Sequence, residues 1–188
     1  MSRRLFVFDD PDRFATGTVG QPGARTFFLQ VRTAGRVVSV VMEKTQVSAL
    51  AERLGQLLVE LDRQGVVEDP PTPIDPDEQP LDEPINEVFK TGSLTLGWDG
   101  EAERILVEAR AQIEVESVEE AIEALQVEED DEDGPDLLRV RMTPDVARSF
   151  VERSFRVVRA GRPTCPLCGN PLDPGGHICP RKNGHYLN

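Results

Sequence analysis

R-T-F-F-L-Q-V-R-T-A-G-R-V-V-S-V-V-M-E-K-T-Q-V-S-A-L, residues 25 to 50, decides how the chain is read. Two runs rich in β-branched and aromatic residues, Arg25 to Arg32 and Arg36 to Met42, are separated by Thr33, Ala34 and Gly35, which predicts a β-hairpin. The period then changes. Val47, Leu50, Ala51, Leu54, Leu57, Leu58 and Leu61 recur at three- and four-residue steps, the stripe of an amphipathic helix capped by Thr45, running to about Gln64 and stopped by Gly65.

Upstream, Leu5 to Phe8 and Phe14 to Val19 read as strands. Asp9, Asp10 and Asp12 between them read as a turn whose carboxylates cap backbone amides rather than as a cation site. Gly17, Gly20 and Gly23 precede a strand, whereas a phosphate loop leads into a helix that holds the anion. Downstream, Glu68 to Pro84 carries six prolines and reads as an extended connector. After it the order of elements repeats: a strand over Val88 to Leu96, a G-W-D-G turn at 97–100, and an alternating strand over Arg104 to Val115. Ser117 and Glu120 form a capping box ahead of Ala121, Ile122 and Leu125. Leu137 to Met142 is a further strand, and Thr143, Pro144 and Asp145 start a second helix bearing Ala147, Phe150, Val151, Phe155 and Val158 on one face.

Two amphipathic helices and about six strands predict an α+β fold: a two-layer antiparallel sheet with its helices on one face. The repeated order suggests an internal duplication of architecture. The expected domain covers residues 1–160, in halves 1–64 and 87–160 joined by the connector 65–86, with a metal-binding module at 161–188.

The net charge of −13 is concentrated in two places. Residues 65–84 carry seven acids and no base, and residues 128–136 carry seven more, so the remainder is nearly neutral. No apolar run approaches the eighteen residues of a membrane helix, and three cysteines, all near the C-terminus, agree with a reducing cytoplasm.

That C-terminal stretch, T-C-P-L-C-G-N-P-L-D-P-G-G-H-I-C-P-R-K-N-G-H at 164–185, holds the chain's cysteines and both its histidines. Cys165 and Cys168 are spaced for one ion, and Cys179 supplies a third thiolate from a second knuckle-like turn. The fourth ligand of a Cys3His zinc-ribbon-like site is His177, in the turn that presents Cys179, or else His185. The prolines and glycines that surround the pair exclude the helix a redox C-x-x-C normally opens. Few apolar residues are present to order the segment, whereas a structural zinc contributes roughly 10–16 kcal/mol in such sites.

F-D-x-P-x-R-F (8–14), G-T-V-G-x-P-G-x-R-T-F-x-L-Q (17–30), V-S-V-V-x-E-K (38–44), L-G-W-D-G (96–100) and C-P-x-C-G-x-P-L-D-P-x-G-H-x-C-P-R (165–181) together resemble the actinobacterial family known as domain of unknown function 3090. The resemblance spans nearly the whole chain. It implies a cytosolic bacterial protein, and a family pattern that includes the histidine at His177 without requiring one at His185.

Outside the knuckle there is no histidine or cysteine, which removes the usual general bases and thiol nucleophiles. A zinc closed by four protein ligands lacks the open position that metal catalysis needs. The reading is therefore a structural or partner-binding protein rather than an enzyme, with an unidentified protein partner. Arg153, Arg156, Arg159, Arg162, Arg181 and Lys182 form its basic recognition surface, facing an acidic partner or, failing one, the protein's own acidic connectors. A nucleic-acid or transcription-associated role is a less favoured alternative, which the acidic connectors oppose. A further alternative is an enzyme on a small anionic substrate built around Arg25, Arg104 and Asp99. Self-association is left open.

Overall fold

The computed structural model describes residues 3–67, 76–113, 134–160, 165–168 and 179. Among the described residues, seven strands and two helices occur in the order β1 (Leu5–Asp9), β2 (Arg13–Val19), β3 (Thr26–Thr33), β4 (Arg36–Met42), α1 (Lys44–Arg63), β5 (Glu87–Asp99), β6 (Arg104–Ala111), β7 (Leu137–Met142) and α2 (Pro144–Arg159). The class is α+β, as expected. The capping box at Ser117 and Glu120 and its short helix fall outside the described residues.

The sheet is mixed rather than antiparallel, in the order β1-β7-β6-β5-β4-β3-β2. Antiparallel pairing makes β2-β3-β4 and β5-β6-β7 two meanders. The crossover through α1 and the connector sets β5 parallel to β4, and β1 joins β7 in parallel at the far edge. Parallel pairing needs a long crossover, so no local turn signal announces it.

This order places a strong constraint on shape. Strands β1 and β2 are opposite edges of the sheet, yet residues 10–12 alone separate them. Six strand spacings of about 4.8 Å would put flat edges about 29 Å apart. Four Cα steps from Asp9 to Arg13 reach at most about 15 Å. The sheet must curl. Strand β5 supplies the bend, since its first half pairs with β4 and its second half with β6, with a register shift between Thr91 and Ser93. Gly92 sits at that shift, where a Cβ would lie 2.8 Å from the Cα of Gln112, so no larger residue fits without backbone movement. Across the closure, the Arg36 guanidinium at the start of β4 lies 4.7 Å from the ring centre of Phe8 in β1.

The core joins both meanders: Leu29, Val31 and Val40 with Ile105, Val107 and Val140, against Val47, Leu54 and Phe150 of the helices. Helix α1 is capped by Glu43 rather than Thr45. The Glu43 amide donates to Gln46 Oε1 at 2.9 Å while its carboxylate accepts from the amide of Gln46, a reciprocal pair that leaves Thr45 inside the first turn. In α2 the Thr143 side chain accepts from the amide of Val146, as the T-P-D signal implies. This helix runs beside edge strand β2: the Phe14 and Phe150 rings are 4.6 Å apart, Arg153 Nε donates to the Thr16 carbonyl at 2.6 Å, and Arg25 donates to the Ala160 carbonyl at 2.7 Å. The edge is thereby blunted. Strand β5 continues through Trp98 to Asp99, so the turn falls at 100–103, where Asp99 Oδ1 accepts from the amides of Glu101 and Ala102.

The connector is not free solvated chain in its second part. Arg13, 9% exposed, makes five hydrogen bonds to it: a fork onto Asp77 at 2.8 and 3.0 Å, the carbonyls of Gln79 and Pro80 at 2.7 and 2.8 Å, and Asp82 at 3.3 Å. Asp77 also faces Arg153 at 3.2 Å. Burial alone would raise its pKa; the Arg13 fork and the charges of Arg153 and Arg13 outweigh that and hold the carboxyl below its ordinary value. A depressed folded-state pKa means stability that is present above the unfolded value and lost as pH falls through the folded one. Asp77→Asn, which leaves Arg13 and Arg153 short of a counter-charge, is expected to cost about 2–3 kcal/mol at pH 7. Denaturant titrations should show the gap from wild type starting to narrow below roughly pH 4, where the unfolded carboxyl takes up its proton, and closing only once the native carboxyl is protonated as well. A gap that does not narrow at all as pH falls below the unfolded carboxyl's value would mean that shape, not charge, is what Asp77 supplies.

Candidate metal centre

The turn Pro166–Cys168 follows Cys165, and Cys179 approaches from later in the chain. All three Sγ atoms lie within 4.8 Å of one another, with Cys165 and Cys179 buried and Cys168 half-buried. Cys165 Sγ is 3.8 Å from Cys179 Sγ. Thiolates bound at about 2.3 Å to a tetrahedral ion stand about 3.8 Å apart, so this separation already matches one edge of such a tetrahedron. The amides of Cys168 and then Leu167 hold the Cys165 thiol below its ordinary pKa; burial opposes them, and the Cys168 and Cys179 thiols add to the lowering. These are the features of a ligand set, and the three cysteines can hold a metal ion. His177 and His185 lie outside the described residues.

The other expected site residues are dispersed. Arg153 is buried, and besides Thr16 its guanidinium donates to the Asp77 carbonyl at 2.7 Å. Arg156 donates to the same carbonyl at 3.0 Å and faces Glu78 at 3.6 Å. Both basic residues thus meet the protein's own acidic connector. Arg159 is exposed, its guanidinium 5.6 Å from the Phe155 ring centre. Arg162, Arg181 and Lys182 lie outside the described residues. Arg25 and Arg104 take separate partners, Ala160 and Asp10, and the two clefts beside α1 and beside the connector include neither them nor Asp99. The aspartate that ends β1 and the two that follow it also separate: Asp9 pairs with Arg141, Asp10 with Arg104, and Asp12 accepts from the amide of Ala34. Only Asp12 caps an amide as expected from the sequence; Asp9 and Asp10 pair with arginines instead.

Sequence reasoning missed the cradle that grips the connector. Arg13, Gln30 and Gly17 form it, and one signal pointed there: a glycine inside a strand marks close approach by another part of the chain. A Cβ on Gly17 would lie 2.6 Å from Leu81 Cγ.

Fold and cluster together define an α+β protein with a C-terminal three-cysteine centre. The chain belongs to the family described as protein of unknown function (DUF3090), whose model matches residues 6–179. No curated protein and no solved structure matches it.

Cys165→Ser and Cys179→Ser are each expected to reduce bound metal to roughly a tenth of wild type or less, measured by plasma mass spectrometry on protein purified without chelator. Full metal content in both variants would remove the thiols as ligands.

Proposed function

We propose that the protein is a partner-binding, adaptor-like protein of the reducing cytoplasm, whose C-terminal module is ordered by one structural zinc ion. The observation that carries this reading is the 3.8 Å spacing of Cys165 and Cys179 within a compact set of thiols. Zinc suits it, because three soft sulfurs and one imidazole make a common closed tetrahedral site. Cys165, Cys168, Cys179 and His177 are the proposed ligands. With four protein ligands the ion shapes a surface and leaves no position for water.

The recognition surface lies at the exit of α2. Arg159 and the partly exposed Arg156 are followed in sequence by Arg162, Arg181 and Lys182, and the chemistry suits an acidic partner. Arg153 contributes from beneath, holding α2 to β2 and the connector.

Residues 1–160 are read as one domain, with 161–188 as the zinc module. Supporting this, β1 and β4 of the first half pair with β7 and β5 of the second. The meander followed by a helix, occurring twice, is what an internal duplication would leave, and a two-layer arrangement is the simplest account of helices sharing one core with the sheet.

Purified protein is expected to carry one zinc per chain, lost in His177→Ala and retained in His185→Ala. The reverse pattern would move the fourth ligand to His185. Arg159→Glu should abolish partner capture from native cytosol while zinc content and melting stay unchanged; capture that survives it would take the surface away from α2.

A further inference from the structure

The geometry points to a second interaction surface: the cradle on β2 and β3 is a recognition site for an extended acidic segment of a partner protein, kept filled by the protein's own residues 76–82. The surface does not depend on the zinc module, and it meets the first surface at Arg153 and Arg156.

Three kinds of contact make the cradle a reader of peptide rather than a general salt bridge. Arg13 reads one carboxylate with the Nε and Nη2 edge of its guanidinium and then two successive main-chain carbonyls, Gln79 and Pro80. Gln30, 2% exposed, turns its side-chain amide into a surrogate strand. Its Nε2 donates to the Asp82 carbonyl at 3.1 Å and its Oε1 accepts from the Asp82 amide at 2.8 Å, while Ser39 Oγ accepts from the same Nε2 at 3.1 Å. Gly17 opens the slot that Leu81 fills. Arg32 completes the set by donating to Asp82 at 2.7 Å. The chemistry selected is an aspartate followed four residues later by Leu-Asp, in extended chain.

The occupant is lightly held in the apolar sense. Of residues 76–82, Leu81 alone is buried, and Pro76, Glu78, Gln79 and Pro80 are exposed. The hold is polar and can be exchanged for the same bonds from another chain, since a segment with few buried apolar contacts opens at far less cost than the core. Beside it lies a cleft of about 350 Å³, lined by Phe14 and Val146 together with residues 76–79 of the segment itself. Arg13, Arg32, Arg153 and Arg156 all contact this segment, so its departure exposes four guanidinium groups to an acidic replacement.

The test uses full-length protein and a fluorescein-labelled peptide of the sequence of residues 75–84, followed by anisotropy. Leu81→Ser loosens the resident segment and is expected to bind the peptide roughly ten-fold more tightly than wild type, because the apparent affinity of wild type is reduced by the fraction of cradles already filled. Adding Gly17→Ala or Gln30→Ala to that variant should abolish the gain, and a scrambled peptide should not bind. Equal binding by wild type and Leu81→Ser, or binding indifferent to Gly17 and Gln30, overturns the proposal. A readout on unaltered protein stands beside these: the Asp82 amide should exchange its hydrogen well before the amides of β3. Exchange of Asp82 only at the rate of global unfolding would mean the segment never leaves its site, and that too overturns it.

Discussion

Strands β1 and β2 are consecutive in the chain and form opposite edges of one sheet, with only residues 10–12 between them. Most other features of the molecule follow from that constraint. A flat sheet cannot satisfy it, so β5 bends at Gly92, and the two meanders turn towards each other around one shared core. Both faces of the bend then need different cover. The face carrying Phe14, Leu29 and Val40 receives the helices, while the face carrying Arg13, Gln30 and Gly17 receives the connector.

The acidity of the chain looks different in this light. Seven acids in residues 65–84 suggest a solvated tether, and a tether needs no partner. Instead Asp77 and Asp82 are counter-charges for guanidinium groups that the fold draws inward, Arg13 and Arg153 above all. A similar arrangement anchors β1, where Asp136 accepts from the main-chain amide and guanidinium of Arg4 and has its pKa held down against burial. Each buried arginine would be costly alone; paired and hydrogen-bonded, it fixes the path of a segment that has little apolar surface to do so.

What could be read from sequence was whatever depends on neighbours along the chain. The three- and four-residue steps from Val47 to Leu61 fixed α1, Thr33-Ala34-Gly35 fixed a hairpin, and Thr143-Pro144 fixed the start of α2. The spacing of Cys165 and Cys168 similarly announced a thiol cluster. The parallel junctions β4–β5 and β1–β7 could not be read, because strand direction there is set by crossovers and not by turns. Nor could the partner of Arg13, which lies 64 residues away in a stretch whose composition signals solvent exposure. Even the cap of α1 moved from Thr45 to Glu43, because a glutamate and a glutamine three residues apart satisfy two amides at once.

The interlocking of the two halves is the claim on which the rest stands: β1 belongs by sequence to the first half and by hydrogen bonding to the second. Its most direct measurement is amide NMR on fragments 1–67 and 76–188, produced separately and then mixed. The account requires poorly dispersed spectra from fragment 1–67 alone, and recovery of the full-length pattern on mixing. A well-dispersed, cooperatively melting spectrum from 1–67 by itself would contradict it, since that fragment would have closed a core without β5, β7 or α2.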